Sequence, residues 1–133
     1  MIIGIGSDLI DIRRIEKIMA RYEERFIKRC FTDIEQAQAQ SRRSAGAHIN
    51  TYAKRFAAKE ACAKALGVGI DQGVYLKDIG VVNAENGAPT LALSGGALAR
   101  LNAIMPEGKT PVIHLTLTDE PPLAQAFVII EAH

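Results

Sequence analysis

The apolar residues of this chain change their period part-way along, and that change limits the fold more than any other feature of the sequence. Through most of residues 12–66 they recur every three to four positions, the spacing of one helix face. From Ile79 onward they fall in short β-rich runs separated by turn residues. Ile12, Ile15, Met19, Tyr22, Phe26 and Cys30 predict a long helix over 11–30, and the T-x-x-E pattern of Thr32 and Glu35 starts a short second one. SRRSAGAH (41–48) reads as a polar connection. A third helix is expected over 49–66, with Gly67 as its C-cap, and Gly67, Gly69 and Gly73 make the next stretch a loop.

In the second half, Ile79–Ala84 and Thr90–Leu93 predict a hairpin about Asn86-Gly87, with Pro89 at the entry to the returning strand. Ser94 can cap a helix over 97–104, ended by Pro106. Val112–Thr118 and Ala126–Ile130 are two more strands, joined by DEPPL. With an opening strand at Ile2–Ser7, closed by Asp8, the order is β-α-α-α-β-β-α-β-β. Helices segregated from hairpins imply an α+β fold, with helices packed on a largely antiparallel sheet. At 133 residues a single domain over 1–133 is expected.

One residue sits badly in this pattern. Ile49, Tyr52, Ala53, Phe56, Ala63 and Gly67 fall on a narrow arc of the third helix, and Glu60 falls in the middle of it. A carboxylate among apolar neighbours must lose its charge, find a cation or reach a cleft. In a helix rich in alanine and lysine, a glutamate commonly does no more than pair with a nearby cation. Here Arg55, Lys59 and Lys64 all stand close by. A carboxylate among several cations can neutralise them, or share an anionic ligand with them through a divalent metal. Mg²⁺ suits such a place, taking a few carboxylates, waters and substrate phosphates, while Lys and Arg grip phosphate oxygens directly.

Asp8 is the second candidate. It stands between a strand and a helix, where a plain N-cap is the ordinary reading, but Asp11 is as good a cap and closer to the first periodic residue. GIGSDL lacks the glycine spacing of a dinucleotide-binding turn. The third candidate is the basic face of the first helix, Arg14, Lys17, Arg21, Arg25 and Lys28. Seven cations in residues 13–29 face three acids, Glu16, Glu23 and Glu24. Such a stripe can be a solvated face. If it has a partner, an acidic protein surface fits better than nucleic acid, because the net charge is +1 and few aromatics interleave. The first 64 residues hold 13 Lys+Arg against 8 Asp+Glu, and the rest 3 against 7, so anionic ligands belong with the first half. Cys30 and Cys62 have no paired spacing and read as small buried residues of a reducing compartment. MIIGIGSDL is too short and too soon charged for a secretion signal, and no apolar run reaches membrane-spanning length; a cytoplasmic protein is expected. His48 and His114 have no metal spacing, Ser94 lacks a nucleophile-elbow setting, and Thr116, Thr118 and Asp119 read equally well as a strand edge or as a site.

Two long stretches, GIGSDLIDIRRI (4–15) and FAAKEACAKALG (56–67), resemble the signature motifs of the holo-acyl-carrier-protein synthases, the short bacterial class of 4′-phosphopantetheinyl transferases. ENGAP (85–89), LSGGA (93–97) and TLTD (116–119) are similar to that family too, in the same order along the whole chain. The resemblance implies the phosphopantetheinyl transferase fold and an Mg²⁺-dependent enzyme of fatty acid biosynthesis. Such an enzyme moves the 4′-phosphopantetheine arm of coenzyme A to a serine of apo acyl carrier protein and releases adenosine 3′,5′-bisphosphate. It implies that Asp8 and Glu60 hold the metal. It implies that Lys64 lies near the phosphates, with Arg55 and Lys59 as its basic flank, and that Asn86, Gly87 and Pro89 belong to a turn lent to the nucleotide end by a neighbouring subunit. It implies that Arg14, Arg21 and Arg25 receive the acidic carrier, and that the assembly is a homotrimer with active sites between subunits. Small residues on the third helix, Ala57, Ala58, Ala61 and Ala65, would permit close subunit packing. Many relatives have histidine where this chain has Asp119, so Asp119 stands as a ligand-binding candidate without an inherited role.

In such a reaction the metal would draw charge from the pyrophosphate, and the acceptor serine would lose its proton to a water on the metal or to Glu60 itself. Two other functions are compatible with parts of the pattern. A non-catalytic carrier-protein-binding module would use the basic helix alone, and a metal-dependent nucleotide pyrophosphatase would use the carboxylates without a protein acceptor.

Overall fold

The structure, a computed structural model, describes residues 1–70 and 72–133. Strand β1 (Ile2–Asp11) leads into helix α1 (Ile12–Cys30), followed by α2 (Asp33–Gln40), α3 (His48–Leu66), the hairpin β2 (Ile79–Asn83) and β3 (Pro89–Leu93), helix α4 (Gly95–Ile104), and the long hairpin β4 (Pro111–Glu120) and β5 (Leu123–Ala132). This is the expected order. β1, β5 and β4 form an antiparallel sheet in the order β1-β5-β4, and β2 and β3 pair separately. Single-turn 3-10 helices lie at Arg43–Ala45 and Leu76–Asp78.

Local signals account for most boundaries. Asp11 caps α1 by accepting from the Arg13 amide, and Thr32 and Glu35 form the full capping box of α2. Gly67 closes α3 at φ 75, a left-handed conformation that suits glycine. The main differences from expectation lie in the long strands and at Tyr22. β1 continues four residues past Ser7, because β5 pairs with it as far as Asp11↔Leu123; Asp8 is therefore inside the strand. β4 and β5 are longer at both ends for the same reason, each completing the other's ladder. Tyr22 does not join the buried stripe of α1. The helix kinks there (φ −136), the ring turns outward between Arg21 and Arg25, and Ile27 takes the buried place one turn later. The loop expected over 67–73 includes Asp71, which lies outside the described residues.

α3 is the axis of the core. Ala57, Ala58, Ala61 and Ala65 are all buried within the chain, so they are not the subunit contact anticipated for them. β1 lies against them so closely that a Cβ on Gly4 would stand 2.1 Å from the Ala65 carbonyl oxygen, and one on Gly6 2.0 Å from that of Ala61. Glycine at both positions lets the strand backbone touch the helix backbone. Phe26, Phe31, Tyr52 and Phe56 fill the opposite side in a run of tilted and edge-on ring contacts. Among the described residues, no helix is long and apolar enough to cross a membrane.

Candidate active site

Alternation along β1 puts Gly4, Gly6, Asp8 and Ile10 on the face toward α3. Two strand residues advance about 6.7 Å and four helix residues about 6 Å, so strand and helix keep step. Gly4 meets Ala65 and Gly6 meets Ala61, which brings Asp8 level with the next turn back, near Ala57. Glu60 and Lys64 stand one turn apart on the flank beside that alanine row. Helix side chains lean toward the N-terminus, and the Lys64 ammonium accordingly reaches back to β1. It donates to the Ser7 carbonyl at 2.8 Å and to Asp8 Oδ1 at 3.2 Å. This pair is open to solvent: the Lys64 side chain is 57% exposed and that of Asp8 19%.

Glu60 is half-buried in the wall of a cleft of about 560 Å³, shared with Phe26, Arg29 and Cys30 of α1 and with Ile70, Tyr75 and Leu76. The carboxylate on the apolar stripe therefore faces a cleft. Burial pushes the Cys30 thiol up, so it lines the cleft as a neutral group. Among the described residues no three His, Cys, Asp or Glu side chains form a metal-holding cluster. Two carboxylates such as Asp8 and Glu60 could hold only a hard cation completed by waters and phosphate oxygens, not a cation in a closed protein cage.

The cations expected to flank Lys64 turn elsewhere. Arg55 and Lys59 are four apart, on the side of α3 that meets α2. Lys59 is fully buried; its ammonium donates to Glu35 Oε1 at 2.7 Å, to the Leu76 carbonyl at 3.0 Å and to the Ile79 carbonyl at 2.5 Å. All three of its protons are engaged, and it is not available to a phosphate. The assignment of Lys59 to ligand binding is corrected on that ground. Burial pushes its pKa down, and the Glu35 charge pulls it back up. Arg55 is also buried, with Nη2 donating to Gln38 Oε1 at 2.6 Å and Nε without a hydrogen-bond partner among the described residues; burial, with Arg42 nearby, lowers its pKa. The structure therefore separates Arg55 from Asp8 and Lys64.

Asp119 lies on the same sheet face as Asp8, two strands across, opposite Ala124, which in turn faces Ile10; Lys54 holds it at 3.4 Å. The Asn86-Gly87 turn is exposed, with Gly87 at φ 85 and Asn86 Oδ1 accepting from the Ala88 amide, so its hydrogen bonds are local. Arg14, Arg21 and Arg25 are all exposed on α1, and the Tyr22 ring lies 5.4 Å from the Arg21 guanidinium and 6.0 Å from that of Arg25. Two parts of this region escaped the sequence reading. Glu35 was legible as a capping residue, but nothing in the spacing showed that its carboxylate also binds Lys59 and the Val81 amide. Tyr75 and Leu76, which line the cleft, stand at the start of a single 3-10 turn with no periodic signal.

Comparison with known proteins identifies the family. Residues 4–109 match the model of the 4′-phosphopantetheinyl transferase superfamily. A holo-[acyl-carrier-protein] synthase of Mesorhizobium japonicum is 64% identical over 132 residues, covering 99% of this chain and 94% of the relative. The crystal structure of the holo-[acyl-carrier-protein] synthase of Neisseria meningitidis is 34% identical, covers 98% of this chain and 99% of its own, and superposes with a TM-score of 0.82. That of a Bacillus anthracis holo-(acyl-carrier-protein) synthase, in complex with CoA (3′,5′-ADP), is 33% identical, covers 100% and 99%, and gives a TM-score of 0.76. The motifs, the fold and whole-length similarity agree: this chain is an enzyme of the 4′-phosphopantetheinyl transferase superfamily and belongs to its holo-[acyl-carrier-protein] synthases.

Proposed function

We propose that the chain transfers the 4′-phosphopantetheine arm of coenzyme A to a serine of apo acyl carrier protein, releasing adenosine 3′,5′-bisphosphate. The observation that carries this reading is the Asp8–Lys64 pair on the inner face of β1, with Glu60 one turn away in the wall of the cleft. Asp8 and Glu60 would hold Mg²⁺, which when bound draws charge from the pyrophosphate and stabilises the leaving phosphate. The Asp8–Lys64 contact is exposed and of the weak kind, so the two can part. That leaves the carboxylate for the cation and the ammonium for a phosphate oxygen. Glu60 is assigned the proton of the serine hydroxyl as its oxygen bonds to the pantetheine phosphorus and the bond to the second phosphate breaks. Holding the arm and the serine together in the cleft supplies a large part of the acceleration.

The exposed arginines of α1, Arg14, Arg21 and Arg25, form the docking face for an acidic carrier. A homotrimer is supported by the outer face of the sheet. Ile5, Leu9 and Leu123 are exposed there beside half-buried Phe127 and Ile129, an apolar patch suited to covering by other copies. The turn at Asn86, Gly87 and Pro89 would then serve a neighbour's nucleotide. The reaction belongs in the cytoplasm, where coenzyme A and carrier proteins occur together.

The test is a mass measurement. Incubation with coenzyme A, Mg²⁺ and apo acyl carrier protein should raise the carrier's mass by one phosphopantetheine. Binding without mass gain would leave a docking module, and cleavage of coenzyme A without carrier modification would leave a pyrophosphatase. Arg14→Glu and Arg25→Glu should weaken carrier binding and leave coenzyme A affinity nearly intact.

A further inference from the structure

The mechanism above leaves unused the most deeply buried charges among the described residues, Glu35 and Lys59, both 0% exposed. Glu35 Oε1 accepts from the Thr32 amide at 2.8 Å and from the Lys59 ammonium at 2.7 Å, and Oε2 accepts from the Val81 amide at 3.0 Å. Lys59 reaches the carbonyls of Leu76 and Ile79 and lies 5.3 Å from the centre of the Phe31 ring. These contacts end on or beside three parts of the cleft wall. Phe31 and Thr32 directly follow Cys30 at the end of α1, Lys59 directly precedes Glu60 on α3, and Leu76 is itself a lining residue.

A buried ion pair is weak evidence for stability, since apolar side chains of similar volume often serve as well or better. What apolar packing cannot do is fix direction. Dispersion contacts tolerate sliding, whereas five hydrogen bonds from two side chains set where the end of α1, the middle of α3 and the start of β2 stand relative to one another. The pair sits immediately behind Glu60, and a displacement of about 1 Å of a reacting group can cost about 100-fold in rate.

We propose that Glu35 and Lys59 are positioning residues for the transfer reaction, holding Glu60 and the Leu76 wall of the cleft in register. The proposal rests on the reading that Glu60 acts in this cleft. Glu35→Gln keeps the shape and removes the charge; Lys59→Arg keeps the charge and changes its placement. Each is compared with the unaltered protein by the rate of carrier modification at saturating coenzyme A and carrier, by coenzyme A affinity from calorimetry, and by circular dichroism. The expected result is a folded protein whose kcat falls at least 10-fold while its coenzyme A Kd moves less than 3-fold. A folded variant of either kind with kcat within 2-fold of the unaltered protein overturns the proposal. So does a parallel loss of kcat and affinity, or failure of both variants to fold, which assigns the pair to folding alone. An unaltered protein that modifies no carrier in the same assay overturns the transferase reading itself, whatever the variants do.

Discussion

Two lysines five residues apart on α3 each face a carboxylate, and the two pairs have opposite characters. Lys59 and Glu35 are fully buried at 2.7 Å, and each makes two further hydrogen bonds to backbone groups. Lys64 and Asp8 are at 3.2 Å with the lysine more than half exposed. Chemistry alone does not tell them apart; their place around the helix does. Lys59 lies on the side covered by α2 and β2, where no water can replace a lost partner. Lys64 lies on the flank bordering β1, where water and ions can. The closed pair can fix structure but cannot take part in exchange. The open pair is free to trade partners, as a phosphate site requires.

The sharpest way to break this contrast is to remove each lysine in turn. Lys59→Met leaves Glu35 buried and unpaired and should destabilise the fold by about 3–5 kcal/mol, the range for a broken buried pair. Lys64→Met should change stability by no more than about 1 kcal/mol. Urea unfolding of the two variants measures both, and equal losses would mean that burial does not separate the pairs. Asp8→Asn extends the contrast to function. It should leave the unfolding midpoint nearly unchanged and lower carrier modification about 100-fold or more, the scale of losing one electrostatic stabiliser of a transition state. Should stability fall instead while the rate holds, the open pair would be the structural one.

A smaller effect tests the surface on which the open pair rests. Asp8 is placed by the contact of β1 with α3 at Gly4 and Gly6. Gly6→Ala puts a methyl against the Ala61 carbonyl, a backbone atom that cannot turn aside. The strand must lift, at a cost of about 1–3 kcal/mol. Since Asp8 is two residues along, activity should fall further than stability. Loss of stability with full activity would show that Asp8 needs no such seating.

The same contrast explains what could be read from the sequence. The helix caps, the Asn86-Gly87 turn, the element order and the odd placement of Glu60 are local or periodic, and a linear sequence displays such features directly. The extension of β1 to Asp11 is not local, because it depends on a strand that begins at Leu123. Glu35 and Lys59 are 24 residues apart, and each alone looks like an ordinary member of its helix. The basic cluster at 55–64 looked uniform because spacing along a helix shows which residues share a face, but not which element covers that face. Spacing set Lys59 and Lys64 alike around Glu60, and only the packing shows that Lys64 meets Asp8 while Lys59 turns to Glu35.

A third carboxylate–cation pair completes the series, at the end of β1. Asp11 caps α1 and binds Arg13 through both carboxylate oxygens, with Arg13 Nη2 at 2.6 Å from Oδ2, at the surface. The Arg13 side chain, then its amide, hold the Asp11 carboxyl down to about 2 from an ordinary 3.8. A carboxylate with a depressed folded pKa adds stability that is fully present above the unfolded value and is lost as pH falls through the folded one. Asp11→Asn keeps the cap acceptor and removes the charge. The unfolding midpoint of the unaltered protein should therefore exceed that of the variant by a small, constant margin from pH 7 down to about pH 4, and the margin should close between 3.8 and about 2. The Asp11–Arg13 pair lies at the surface, so 1 M salt should shrink the margin at every pH. A margin that persists below pH 2, or one that salt leaves untouched, would mean that the carboxylate acts through packing or burial and belongs with the closed pair.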